Sequence, residues 1–155
     1  MNHSTILLVE DNEDDVFSMK RALRKGQIAN PLQVVTDGQQ AVDYLAGTGS
    51  YADRNRFPLP FIIFLDLKLP CLDGFEVLSW MRQQRTLDGI VVVVLTSSAE
   101  SRDHERAYAL GARSYLIKPP TPEVLLDVLN SLQSLWLAQA GSTPVIWHQA
   151  STTGK

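Results

Sequence analysis

The chain has 155 residues, 45% hydrophobic and 20% charged, which suits one globular domain around a single core. A net charge of −3 and the lack of any Lys/Arg run argue against a surface built for nucleic-acid phosphates. No apolar stretch reaches the roughly 18–20 residues of a membrane-spanning helix, the first five residues hold no basic n-region, and the lone Cys71 allows neither an internal disulfide nor a thiolate metal site. The expectation is a reducing, cytoplasmic compartment, with no nucleic-acid or membrane partner.

In chain order, residues 5–9 form a short apolar run of strand length that ends at Glu10-Asp11-Asn12. Asn12 caps a predicted helix whose first turn holds Glu13, Asp14 and Asp15, suited to the positive end of its dipole. Val16, Met19 and Leu23 recur at helical spacing, and Gly26 ends the pattern. Residues 32–35 read as a second strand, closed by Asp37-Gly38, and Ala41, Val42 and Leu45 as a short helix. The connection over 47–60 is rich in Gly, Pro and polar residues and is long for a compact domain, which suggests a role of its own. Residues 61–65 are apolar at all five positions, as in a strand buried on both faces, and Asp66 follows them. Pro70 and Asp73-Gly74 break the chain before a third helix carrying Val77, Leu78 and Met81. Residues 90–95 form another wholly apolar strand, ending at Thr96-Ser97-Ser98. Residues 100–110 have helical composition but few apolar side chains, which predicts a loosely held helix. Residues 114–117 are a fifth strand, ending at Lys118-Pro119-Pro120, and the last helix runs from about 121 to 139. Residues 141–155 carry no domain-sized pattern and read as a tail.

Strands alternating with helices imply a parallel sheet covered on both faces. In such sheets ligands bind beyond the carboxyl ends of the strands, where strand order reverses. Those ends carry Glu10 and Asp11, Asp66, Thr96 and Lys118. Asp66 alone would be an ordinary strand-ending carboxylate; the complementary set at one edge gives it meaning. Converging carboxylates repel each other and must either take up protons or hold a cation. Oxygen donors without His or Cys suit Mg²⁺. A carboxylate is also a nucleophile able to form an aspartyl phosphate, and the Lys118 ammonium would stabilise charge on a transferring phosphoryl group.

At this point the sequence resembles the receiver domain of bacterial two-component response regulators. The matching segments are ILLVEDN at 6–12, FLDLKLP at 64–70, Asp73-Gly74, VLTS at 94–97 and YLIKP at 115–119, in order over residues 5–135. The resemblance implies an α/β fold: a flavodoxin-like, doubly wound five-stranded parallel sheet of order 2-1-3-4-5. It implies that Asp66 is the phosphoacceptor, served by a sensor histidine kinase. It further implies that Asp11, Asp66 and the Lys68 carbonyl bind Mg²⁺, with Glu10 acting through a water. Thr96 and Lys118 would contact the phosphoryl group, Tyr115 would be an aromatic switch coupled to Thr96, and the Lys118-Pro119 bond would be cis. Lys68 and Ser98 would flank the path of the hydrolytic water and set the phosphate lifetime. The 47–60 connection, the LPCLDG turn at 69–74 and the long last helix with its tail further resemble response regulators paired with bacterial, especially cyanobacterial, phytochromes.

The implied organisation is a receiver domain over residues 1–140 and a tail over 141–155, with no separate effector domain. Its implied role is a stand-alone switch of protein–protein interactions and not an enzyme. A phosphorelay intermediate would use the same site. A Mg²⁺-dependent phosphohydrolase is disfavoured because one superfamily of that chemistry needs a second Asp two residues after its nucleophile, where this chain has Lys68. The last helix has an apolar arc wider than one stripe, with Val124, Leu126 and Leu137 added to Leu125, Val128, Leu129, Leu132 and Leu135. A homodimer through this helix and the tail is therefore expected.

Overall fold

A computed structural model describes residues 5–97 and 101–140, with side chains for all of these but 101 and 133–140. Five strands, β1 (Ile6–Val9), β2 (Leu32–Val35), β3 (Ile62–Leu65), β4 (Val91–Thr96) and β5 (Ser114–Ile117), form one parallel sheet of order β2-β1-β3-β4-β5. They alternate with α1 (Glu13–Lys25), α2 (Gly38–Ala46), α3 (Gly74–Arg82), α4 (Ser101–Ala109) and α5 (Pro122–Ala140). The expected fold and strand order are both present, and element ends differ from the sequence expectation by a residue or so.

Side chains on a strand alternate between faces, so each apolar run feeds two cores. Leu7, Val9, Ile63, Leu65, Val92 and Val94 pack with α2, α3 and Ala107 of α4. Ile6, Leu8, Ile62, Phe64, Val93 and Leu95 pack with α1 and α5. This double burial is why the central strands show unbroken apolar sequence in place of alternation. Register follows: Leu8 lies opposite both Val34 and Phe64, and Val9 opposite both Val35 and Leu65. The chain leaves β1 for one neighbour and returns to the other, which opens a crevice beyond the ends of β1 and β3.

Two glycines allow close approach at that crevice. A Cβ on Gly74 would lie 2.5 Å from the Asp66 carbonyl oxygen, and one on Gly38 would lie 1.9 Å from that of Leu72. The start of α3 therefore sits directly against the backbone of Asp66. Asp73 and Glu76 cap that helix end reciprocally, with hydrogen bonds of 2.9 and 2.8 Å.

The 47–60 connection is tied to the domain. It contains a 3₁₀ turn, Gly49–Tyr51. Tyr51 and Phe57 pack their rings on the fully buried Tyr44, with centroids 5.2 and 5.9 Å away, and the Tyr44 hydroxyl donates to the Pro58 carbonyl at 2.7 Å. Arg54 donates to the carbonyls of Tyr44 (2.8 Å), Leu45 (2.9 Å) and Phe57 (3.1 Å). The first two are C-terminal carbonyls of α2, at the negative end of the helix dipole, where only that of Tyr44 also accepts from the Gly47 N–H (3.2 Å).

Helix α5 buries the stripe its sequence suggests, and α4 is as thinly covered as expected. In α5, Leu125, Leu129 and Leu132 are buried, and Leu126 and Val128 pack against the core in part. Much of the apolar arc up to residue 132 thus serves this chain, while Leu135, Trp136 and Leu137 lie outside the described side chains. Among the described side chains of α4 only Ala107 is buried, yet Arg106 stacks over Phe75 at 4.0 Å and Arg82 donates to the Ala109 carbonyl. These contacts at the helix margin offset its thin apolar face.

Replacing Arg54 with Ala strands the Leu45 and Phe57 carbonyls, leaves that of Tyr44 with the Gly47 N–H alone, and should lower unfolding free energy in urea by about 2 kcal/mol. The exposed Arg56→Ala exchange should stay within about 0.5 kcal/mol.

Candidate phosphoryl and metal site

Backbone ladders place the site residues. The Glu10 N–H donates to the Val35 carbonyl at 3.0 Å and the Asp66 N–H to the Val9 carbonyl at 3.1 Å, so each acid sits one step past its strand. The Lys118 N–H donates to the Thr96 carbonyl at 2.8 Å, extending β5 along β4. Glu10 and Thr96 are 1% exposed and Asp66 6%. The Lys118-Pro119 bond is cis, as expected.

Lys118 lies at the centre of the charge arrangement. Its Nζ is 2.7 Å from Glu10 Oε1, 2.7 Å from Asp15 Oδ2 and 3.0 Å from Asp66 Oδ2. Asp66 Oδ1 accepts from the Lys68 N–H at 3.3 Å, and Glu10 Oε2 from the Asn12 N–H at 3.2 Å. Burial pushes the Glu10 carboxyl up to about 7; Lys118 pulls it back in part, and the Asp66 charge adds to the rise. For Lys118, burial alone would lower the pKa. Hydrogen bonds to Asp15, Glu10 and Asp66 outweigh that, so the ammonium holds its proton more firmly than a free lysine.

One carboxylate oxygen from each of Glu10, Asp11 and Asp66 lies within 4.8 Å of the others. Two of these acids are buried, and Asp11 is exposed at the rim. An all-oxygen set of three negative charges with a single neighbouring ammonium fits a hard divalent cation. Beside it, a cleft of about 490 Å³ is lined by Asp11, Lys68, Thr96, Asp73, Asp103 and Arg106, among others.

The sequence-predicted residues Glu10, Asp11, Asp66, Lys68, Thr96 and Lys118 thus share one sheet edge. Tyr115 lies apart on β5, half-buried, its ring stacked on His104 of α4 with centroids 3.6 Å apart. Ser98 lies outside the described residues. Asp15, suited by sequence to the helix dipole, also reaches Lys118. A signal was available: Asp15 is one turn before Met19, on the buried stripe that continues through Ala22 and Leu23.

The profile of the response regulator receiver domain matches residues 6–130. Among curated relatives, the probable methanogenesis regulatory protein FilR2 of Methanothrix harundinacea is 38% identical over 85% of this chain and 83% of its own. The response regulator Rcp1 of Synechocystis is 36% identical over 85% and 88%. Among solved structures, the bacteriophytochrome response regulator AtBRR superposes with a TM-score of 0.76 at 38% identity, covering 98% of this chain and 100% of that one. Phosphorylated RcpA, a cyanobacterial phytochrome response regulator, gives 0.72 at 34%, covering 92% and 99%. A Mn²⁺-bound form of Rcp1 gives 0.69 at 35%, covering 91% and 98%.

A cation at this site competes with the proton on Glu10. Mn²⁺ affinity, followed by titration calorimetry, should fall as pH is lowered from 8 to 6, because Glu10 protonates near 7. Glu10→Gln should weaken Mn²⁺ binding at pH 8 and flatten that dependence.

Proposed function

We infer the function from one premise: the chain belongs to the response regulator receiver domain family, and it accepts a phosphoryl group on Asp66 from a histidine of a sensor kinase. The observation that carries this reading is the buried Asp66 carboxylate held 3.0 Å from the Lys118 ammonium at the switch-point edge, beside Glu10 and Asp11. An Asp66 oxygen forms the new bond to phosphorus, the P–N bond to the donor histidine breaks, and the imidazole nitrogen keeps the electron pair. Asp11, Asp66 and the Lys68 carbonyl would hold Mg²⁺, with Glu10 acting through a water, and the bound ion would supply positive charge for the phosphoryl oxygens. Lys118 supplies a second positive charge and Thr96 a hydroxyl for the transferred group. The buried surroundings strengthen each of these interactions.

The output in this reading is a conformational switch, not turnover. Phosphorylation adds about 1.5–2 negative charges at one point. Thr96 turns toward the phosphate, and Tyr115 leaves its stack on His104 for the interior. The contacts of α4 with its neighbours are few and marginal, which makes it the part able to shift. The kinase we propose is a bacterial phytochrome, supported by the near-complete overlap with AtBRR and RcpA. A second copy of the chain is the further partner, through the distal part of α5 and residues 141–155. Residues 1–140 act as the receiver unit, in a cytoplasmic setting.

Incubation with a phytochrome kinase and labelled ATP should give the wild type an acid-stable, alkali-labile label that Asp66→Asn does not take; label persisting in the mutant would refute the assignment. Phosphorylation should also shift the His104 ring-proton resonances as the Tyr115 ring current moves away, and Tyr115→Ala should abolish that change without blocking phosphorylation.

A further inference from the structure

We infer that Asp15 is a positioning residue for phosphoryl transfer to Asp66, acting through Lys118. The inference rests on the phosphoacceptor reading above. A lysine ammonium has three donors and no acceptor. Here Nζ donates to Asp15 Oδ2 at 2.7 Å and to Asp66 Oδ2 at 3.0 Å, and it forms an ion pair with Glu10 Oε1 at 2.7 Å. Two of these partners are outside the acceptor itself. Glu10 follows β1 and is buried, and Asp15 stands in the first turn of α1. Asp15 by a hydrogen bond and Glu10 by its charge hold the ammonium where it donates to Asp66.

The start of α1 is arranged so that Asp15 is available for this. An acid at the third helical position ordinarily reaches back to the backbone N–H of the capping residue. Here that N–H, on Asn12, donates to Glu10 Oε2 at 3.2 Å, while Asn12 Oδ1 accepts from the Asp15 N–H at 3.0 Å. The cap is complete without the Asp15 carboxylate, which turns to a lysine 103 residues further along the chain. Of the three acids in that turn, Glu13, Asp14 and Asp15, the one used lies on the stripe that faces the sheet.

Transfer neutralises the Asp66 carboxylate just as charge arrives on the phosphoryl oxygens. A lysine held only by Asp66 would lose its anchor at that moment. Held by Glu10 and Asp15, it keeps its place and pivots one donor to the phosphoryl group. Without Asp15, whose side chain is 36% exposed, the donor on the open side of the ammonium turns to solvent.

The test uses the full chain, saturating Mg²⁺ and phosphoramidate as donor, so that kinase docking does not enter. Phosphorylation of Asp66 is followed by intact mass. Asp15→Ala, which suits a helix, should slow the reaction about tenfold, the scale of a lost charge-assisted hydrogen bond. Asp15→Asn keeps an acceptor oxygen and should recover most of that loss. In a Lys118→Met background, Asp15→Ala should change the rate by less than about twofold, because the pair acts as a unit. A wild-type rate in Asp15→Ala, an equal slowing in both backgrounds, or no advantage of Asn over Ala would each overturn the inference. Failure of the wild type to be phosphorylated on Asp66 would instead overturn the phosphoacceptor reading, and this inference with it; labelled Asp66 with rates indifferent to Asp15 would remove only the role of Asp15.

Discussion

The ammonium of Lys118 among three carboxylates is the interaction on which the site depends. Glu10 and Asp66 are both almost fully buried, and two like charges taken out of water at one edge would repel each other and resist ionisation. A cation fixed between them makes their burial tolerable. Removing one partner of such a buried set costs roughly 3–5 kcal/mol, mostly for the charges left behind. Lys118 also joins four parts of the chain. Through it the end of β1, the first turn of α1, the end of β3 and the end of β5 meet at one atom.

That meeting follows from the sheet. Parallel strands of equal polarity all end at the same edge, so residues far apart in sequence arrive together without any local cause. Four-residue strands suffice because both faces are buried and the register is fixed by two cores. The glycine at 74 then lets α3 press against the Asp66 backbone, and its capped N-terminus closes the crevice floor. The resulting contrast is useful for a switch. The central strands β1, β3 and β4 and their flanking helices are densely packed, whereas α4 is attached by one buried alanine and a few contacts at its margin. Structural change after charge is added should go where the fewest contacts oppose it.

The 47–60 segment lies away from that chemistry and shows a different logic. Arg54 serves as a side-chain cap for α2, and Tyr44, Tyr51 and Phe57 form a small aromatic cluster over it. A long connection thereby becomes a fixed surface, in which Gln33 of β2 also donates to the Arg56 carbonyl. Its rigidity comes from three carbonyls gathered by one guanidinium, whose planar fork presents several donors at once.

The sequence by itself determined the fold class and most of the site. Unbroken apolar runs at 61–65 and 90–95 read as strands with two buried faces, and their alternation with helical periods implies a parallel sheet. Polar residues directly after those runs must then share an edge, which was enough to group Glu10, Asp11, Asp66, Thr96 and Lys118. Their roles, and the strand order, came from a resemblance and not from spacing. Tertiary structure decided what one-dimensional patterns cannot hold. Asp15 differs from Glu13 and Asp14 in lying on the buried stripe of α1, but only the position of β5 beside the sheet edge brings Lys118 to it. Arg54 sits in a polar loop that gives no hint of the carbonyls it reaches. In α5, Leu126 of the wider arc packs against the core of this chain beside the expected stripe, since the width of an arc tells how much surface needs cover but not what covers it. In each case the missing information was a distance between segments far apart in sequence, and hydrogen bonds and ion pairs are too short-ranged for composition or period to encode it.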